Sequence, residues 1–597
     1  MSRLYAHHNS SSLSEQAESK VLILYTGGTI GMKKTERGYE PYPNYLANSL
    51  KSLPMLHDPN YDQELFSPPD NLESLICPVS IYGCRVIYCV MEYEPLMDSS
   101  DMSMDVWAKI AMDIRKYYEI FDGFVILHGT DTMAYTSSAL SFMLEDLGKS
   151  IILTGAQVPI YEQRSDGREN LLGALIIAGH YVIPEVTLYF DHKLYRGNRV
   201  IKDNNREFNA FQSPNFAPLA NVGIDIEVQW SSIFRSGKLQ KFHIYTSMSS
   251  NVGILRLFPG ITAETIRTFL LPPMEGVILL SYGSGNAPSR FPNIINEFRK
   301  ACDRGVLILN ISQCCRGFVD DSYMVGKILT NVGIIPGADM TPEAALTKMS
   351  YLLGRDDLDL ATKRRMLKEN LRGELTVRLS WKESEFINSV AQALKATSIK
   401  EIDTIQSMLF PVLLCSAAAV GNVSSLKTLT EQGANVNSCD YDGRTPLHLA
   451  SYEGHIEAVR FLLEKGASVF SRDRLHRTPY IDALLNSQAE VVKILKISGA
   501  HLHIGGEEIT FYLNNLIEEN NVKSLKLWEE AGVDLNLKGS DFRTPLHTAV
   551  CCNRIEVVKY LMEIGVDLQA KDIFGKTAMD YAIALSRTNI IQVMNYP

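Results

Sequence analysis

The sequence predicts an α/β fold of two domains, a larger doubly wound one followed by a smaller one, with an all-α repeat array behind them. Three observations carry this. Up to about Leu371, short apolar runs of strand length alternate with helix-length segments, as parallel strands joined by crossover helices require. The runs end in Gly, Thr, Ser, Asp or Asn, which are turn residues rather than core residues. In the last third a Thr-Pro element recurs at spacings of 33 and 66 residues, with a weaker threonine copy 33 residues further on.

Residues 1–19 are polar and serine-rich, with little to bury, and are expected to be disordered. The first domain is assigned to residues 20–222. It opens with the strand Val21–Tyr25, after which Gly27 and Gly28 let the backbone turn and present Thr29 at the carboxyl end. In open α/β sheets, ligands bind in the crevice at that end. A strand at Arg85–Val90 and a helix at Asp105–Tyr118 follow. The strand Phe124–Leu127 then runs into His128-Gly129-Thr130-Asp131, ahead of a helix at Met133–Leu144. After Ile151–Leu153 and a helix at Ser165–Gly179, the strand-like Val186–Phe190 precedes Leu194–Lys202, which delivers a lysine. The alternation fades over residues 223–244, read as a connector.

The second domain, residues 245–385, repeats the pattern with Val277–Ser281 and Gly305–Asn310, each placing small polar residues just past a buried strand. Helices at Thr341–Gly354 and Leu360–Leu371 should close it. A helical linker is expected at residues 386–404 and the repeats at 405–597. There Thr445-Pro446-Leu447-His448, Thr478-Pro479-Tyr480 and Thr544-Pro545-Leu546-His547 recur, with a weaker copy at Thr577 and a degenerate one near Thr510. A period of about 33 residues is that of ankyrin repeats, and about five repeats give a continuous core. His448 and His547 are read as residues that stabilise the repeat turn, not as metal ligands.

A net charge of −10, with 46% hydrophobic and 21% charged residues, describes an ordinary globular chain and argues against a general nucleic-acid or anionic-membrane binder. The ten cysteines have neither disulfide-framework nor metal spacing, which fits a reducing compartment. No signal-peptide segment precedes the first strand, and no run approaches the roughly 20 apolar residues of a membrane span. A cytoplasmic location is expected. The glycines of Gly27-Gly28-Thr29-Ile30-Gly31 match neither a dinucleotide fingerprint nor a phosphate-binding P-loop.

The blocks Thr26–Met32, His128–Thr132 and Leu194–Lys202, with Pro95-Leu96-Met97-Asp98-Ser99-Ser100-Asp101, resemble the L-asparaginases of the bacterial type. Within that family they are most similar to the cytosolic type I group that in animals carries ankyrin repeats. The resemblance spans roughly residues 20 to 380. It implies that Thr29 is the nucleophile, assisted by Tyr39 from a mobile, lid-like stretch, and that Thr130, Asp131 and Lys202 form a second catalytic group. It also implies that Asp98, Ser99 and Ser100, with Thr130 and Asp131, bind the substrate L-asparagine. Read without the resemblance, Asp98-Ser99-Ser100 is a helix N-cap ahead of the Asp105 helix, and it could do both jobs.

A threonine hydroxyl needs a base within reach, and no Ser-His-Asp order is evident, so the resemblance assigns proton transfer to Lys202 and Asp131. The reaction it implies needs neither cofactor nor metal. It also implies a homodimer or homotetramer, and the repeats imply a protein partner or a role in the oligomer. Cys314 matches a residue of the regulatory asparagine site of some relatives, but Leu280 and Ile201 stand where arginine and threonine occur there, so weak or absent regulation is expected. Two rivals remain: a lysophospholipase using the same threonine, although no Gly-x-Ser-x-Gly elbow is present, and an inactive ankyrin scaffold.

Overall fold

The structure is a computed structural model that describes residues 18–36, 38–60, 68–79, 85–234, 241–288, 290–319, 324–376, 399–502 and 506–595. Almost all of the N-terminal stretch at 1–19 and most of the linker at 386–404 lie outside the described residues. Two compact units are formed, one holding the sheets and the other the helices from residue 399 onward.

In chain order the strands are β1 (Glu18–Gly27), β2 (Met32–Thr35), β3 (Gly38–Pro41), β4 (Ser74–Ile76), β5 (Arg85–Met97), β6 (Gly123–Leu127), β7 (Leu144–Glu145), β8 (Ser150–Thr154), β9 (Val186–Phe190), β10 (Lys193–Arg196), β11 (Ile201–Lys202), β12 (Phe211–Gln212), β13 (Ala220–Val222), β14 (Ile226–Val228), β15 (His243–Ile244), β16 (Val252–Arg256), β17 (Gly276–Ser281), β18 (Leu307–Ser312) and β19 (Ile335–Pro336). The first sheet runs β14-β13-β10-β9-β8-β6-β1-β5-β4. Its centre, β5-β1-β6-β8-β9, is parallel, and the outer strands pair antiparallel.

The chain leaves β1 for β5 on one side and returns to β6 on the other, so the strand order reverses between β1 and β6. That reversal opens a crevice beyond the carboxyl ends of these two strands. Val21–Tyr25 and Phe124–Leu127 are wholly buried, and burying each such side chain stabilises the fold by about 1.5–3 kcal/mol. The helix Met104–Tyr117 turns Trp107, Ile110, Ala111, Ile114 and Tyr117 toward this core, the spacing of a single helical face. The second sheet, β16-β17-β18-β19, is parallel throughout.

The stretch at 223–244 is not wholly a connector. β14 joins the first sheet through β13, and β15 pairs with β7. These strands are two or three residues long and partly exposed, so they carry no alternation to read.

The array contains six helix pairs among the described residues, against about five counted from the sequence; the first is Ile399–Ala419 with Val423–Glu431, where Ser416–Asn437 reads as a repeat without the Thr-Pro start. In the second and fifth pairs the histidine locks the turn. His448 Nδ1 accepts from the Thr445 amide at 3.0 Å, and its Nε2 donates to the Arg477 carbonyl of the next repeat at 3.0 Å. His547 does the same with Thr544 and Lys576. In the third pair Ile481 occupies that position, and the following first helix, Gly506–Glu518, has no Thr-Pro start.

Candidate active site

Three strand ends meet at the crevice because glycines let them. Gly28, at φ 86° and ψ 173°, has a backbone conformation open essentially to glycine alone, and a Cβ there would lie 2.4 Å from the Gly129 nitrogen. A Cβ on Gly129 would in turn lie 2.6 Å from Ser99 Oγ. The ends of β1, β5 and β6 are thus in backbone contact, and Thr29 and Thr130 follow directly on the two touching glycines. Side-chain bonds fasten the same ends: Thr26 Oγ1 donates to the Leu127 carbonyl at 2.9 Å, and Thr132 Oγ1 to the Ser99 carbonyl at 2.6 Å. Thr29 opens a short turn, Thr29–Gly31, and is half-buried.

Lys202 arrives from β11. Its Nζ donates to Thr130 Oγ1 at 2.8 Å and to Asp131 Oδ1 at 2.6 Å. The lysine side chain is 17% exposed while that of Asp131 is 68% exposed, so the ammonium is sheltered and its counter-ion faces the open side. Thr130 passes its own proton toward Gln157 Oε1 at 3.3 Å. The Lys202–Thr130–Asp131 group therefore forms one hydrogen-bonded set, with both protein cation and hydroxyl already oriented.

Asp98 and Ser99 lie where β5 ends. Asp98 Oδ1 accepts from the Ser100 amide at 2.9 Å and the Ser100 hydroxyl at 2.8 Å, and these bonds hold its carboxyl below the usual carboxylate range. It caps the short turn Ser99–Asp101 rather than the helix Met104–Tyr117, whose N-cap position is Ser103. Ser99 is buried against Gly129, while Asp98 and Ser100 are exposed.

Tyr39 sits on β3, in a hairpin with β2 that packs beside the Thr29–Gly31 turn. Its hydroxyl, on a side chain 44% exposed, donates to Glu162 Oε1 at 2.9 Å, and that bond raises its pKa. Among the described residues no hydrogen bond joins Tyr39 to Thr29. Thr130, Asp131 and Lys202 are thus brought into direct contact, Thr29, Ser99 and Thr130 onto adjoining strand ends, and Tyr39 is turned to a different partner.

Two residues beyond those read from the sequence shape the site. Gln157, just past β8, has its amide held by the Asp166 carboxylate at 2.9 Å and donates from Nε2 to the Glu207 carbonyl at 3.3 Å, which fixes the side chain that meets Thr130. The rule that marks polar residues past buried strands would have found it. His128 is fully buried, and burial lowers its pKa to about 4, so it is neutral. Nδ1 faces the Gly129 carbonyl at 2.7 Å and therefore carries the proton; Nε2 then accepts from Thr136, which in turn accepts from Trp107 Nε1 at 2.9 Å. The imidazole steadies the Gly129 turn and is no free base.

Glu145, Asp146 and His243 bring three potential metal-ligand atoms together, away from these residues. Glu145 also meets Arg355 Nη1 at 3.0 Å, with Arg372 Nη2 3.7 Å away, so cationic side chains already supply the countercharge a metal would bring.

The same residues lie within known families. Residues 20–234 match the family described as asparaginase, N-terminal, and residues 251–367 the glutaminase/asparaginase C-terminal domain. Residues 414–505 and 513–595 match ankyrin repeats. The chain is 49% identical over 436 residues to the L-asparaginase of Dirofilaria immitis, covering 73% of this chain and 74% of that one. It is 44% identical over 437 residues to the 60 kDa lysophospholipase of Homo sapiens, covering 72% and 75%, and 44% identical over 360 residues to L-asparaginase 1 of Escherichia coli strain K12, covering 60% and 98%. The crystal structure of L-asparaginase I from Vibrio cholerae superposes with a TM-score of 0.52 at 42% identity, over 60% of this chain and all of that one. Two α/β domains in the order of both family models, with the strand ends of the first gathered around Thr29, Thr130 and Lys202, place this chain in the asparaginase family, with ankyrin repeats as its third part.

Proposed function

We propose that the protein hydrolyses L-asparagine to L-aspartate and ammonia through a threonine acyl-enzyme. The observation that carries this is Lys202 bonded to both Thr130 and Asp131 at the crevice where Thr29 is presented. Thr29 Oγ1 attacks the side-chain amide carbon, its proton passes to the leaving nitrogen, and ammonia departs to leave a β-aspartyl ester. Water, activated through Thr130 with Lys202 and Asp131, then cleaves the ester and restores the hydroxyl. Asp98 takes the α-ammonium of the substrate, with Asp131 beside it, and Ser99 and Ser100 its α-carboxylate, through charge-assisted hydrogen bonds. Tyr39 serves as proton carrier once its hairpin closes and its hydroxyl leaves Glu162.

The relatives named lysophospholipase favour a second reading, in which the same threonine cleaves an ester. Ammonia release from asparagine and glutamine, and fatty-acid release from a lysophospholipid, measured for the wild type and Thr29→Ala, separate the two. Ammonia from asparagine that vanishes in Thr29→Ala supports the first reading; fatty acid alone would replace it. In this reading the enzyme works in the cytoplasm as a homodimer or homotetramer, and the ankyrin face takes a protein partner or strengthens the oligomer.

A further inference from the structure

The lysine at the centre of the site stands three residues beyond a turn that the smaller domain grips. In the turn Gly197–Arg199 every residue is buried. Arg199 Nη1 faces Asp339 Oδ2 at 3.0 Å, with side chains 2% and 7% exposed. Arg199 also donates from Nε to the Gly373 carbonyl at 2.8 Å and from Nη2 to Thr376 Oγ1 at 3.0 Å. Thr376 closes the ring, giving its amide to Asp339 Oδ1 at 2.7 Å and its hydroxyl to Oδ2 at 2.6 Å. Asn198 Nδ2 holds the Arg372 carbonyl at 2.9 Å, and the Phe216 ring lies 5.3 Å from the Arg199 guanidinium.

Asp339 and residues 372–376 belong to the part of the chain that follows β19, so the grip comes from the smaller domain while Lys202 acts in the larger one. From Arg199 only Val200, buried, and Ile201, paired with Gln212, separate the clamp from the lysine. A buried arginine held by a counter-ion and two further acceptors can occupy one position only, because any shift strands a charge. We propose that the Arg199–Asp339 pair, closed by Thr376, is a positioning device for Lys202, which makes the smaller domain a working part of the catalytic site. This rests on the catalytic reading of Lys202 given above.

A misplacement of about 1 Å in a catalytic group costs on the order of 100-fold in rate. The test uses the full-length chain and compares Lys202→Met with Asp339→Asn, Arg199→Lys and Thr376→Val, these three each also as a double variant with Lys202→Met. Ammonia release gives kcat and KM, and thermal melting gives the folded state. The expected result is a fall in kcat of about 10- to 100-fold in Asp339→Asn and Arg199→Lys, a smaller fall in Thr376→Val, KM held within about twofold, and no further fall in the double variants. Thr376→Val retains the ion pair and so remains informative if Arg199→Lys does not fold. A merely structural clamp would lower the melting temperature and leave kcat per folded molecule at the wild-type level, and that result overturns the proposal, as would losses that multiply in the double variants. Full activity in Lys202→Met would be a different failure, removing the catalytic reading and the clamp with it.

Discussion

Gly28→Ala is the sharpest probe of the way the strand ends converge. The added methyl would start 2.4 Å from the Gly129 nitrogen and 2.5 Å from its Cα, both backbone atoms that no rotamer change can remove. Ordinary carbon contacts begin near 3.5 Å, so the two loops must part by about 1 Å. The backbone conformation at φ 86° and ψ 173° adds about 1–3 kcal/mol of strain for a residue with a Cβ. Thr29 and Thr130 ride on the loops that separate, and a displacement of that size costs roughly 100-fold in catalysis. Global stability should fall by only the strain, a melting shift of a few degrees in a domain this large. Continuous measurement of ammonia release at saturating L-asparagine, beside a melting curve, reads both quantities. A Gly28→Ala enzyme that keeps half or more of the wild-type kcat would refute the claim that the Gly28–Gly129 contact sets the site.

Four further outcomes are expected. Burial holds the His128 pKa at about 4, below its unfolded value near 6.5, so the unfolded chain binds the extra proton first. The stability contribution is complete above about pH 6.5 and lost as pH falls toward 4; melting temperatures measured from pH 7.5 to 4.5 should decline less steeply in His128→Gln, once its starting stability is subtracted. Asp482 in the repeats behaves in the opposite sense: burial pushes its pKa up to about 7, the folded form retains its proton longer than the unfolded one, and stability is lost as pH rises from about 4 to 7. Asp482→Asn should therefore raise the melting temperature of the array at pH 8 and have little effect at pH 4.5. His448→Ala leaves the Thr445 amide and the Arg477 carbonyl without their partner, at about 1–3 kcal/mol, measurable as faster hydrogen exchange across residues 445–477. With Leu280 and Ile201 in place of polar residues, initial rates against L-asparagine concentration should follow a simple hyperbola; a sigmoidal curve would contradict that expectation.

The site was legible in sequence to the extent that its parts are local. Thr29 and Thr130 each follow a recognisable strand and glycine-bearing turn, and the parallel order of β1 and β6 brings them to one edge, which Lys202 reaches on β11 after the antiparallel β10. Tyr39 reads in sequence as part of a mobile, lid-like loop, where the structure has a hairpin, and the side chain it meets, Glu162, lies 123 positions further along and leaves no local sign. The same holds for the Arg199–Asp339 pair. Buried charges find partners by tertiary packing, which periodicity does not report. Asp98 was read as a cap or a substrate ligand; the cap is visible, though on a shorter turn than expected. The strands β14 and β15 escaped notice because two or three half-exposed residues hold no period. In the repeats, the 33-residue spacing marked the pairs with a threonine start, and the two without it, the first and the fourth, were legible only as weaker units at Ser416–Asn437 and near Thr510.

The histidine bond from one repeat to the carbonyl of the next works like a tooth in a zip, and the row of teeth has gaps. Ile481 offers no imidazole to the unit that follows, whereas His448 and His547 each engage theirs. Mechanically the tooth is present at two joints, from the second pair to the third and from the fifth to the sixth, while the joint after Ile481 is held instead by Ser487 with Ser524 and by Lys496 on the Glu530 carbonyl. A pulling force or a searching protease should open the joints without a tooth before it opens either of the two that have one.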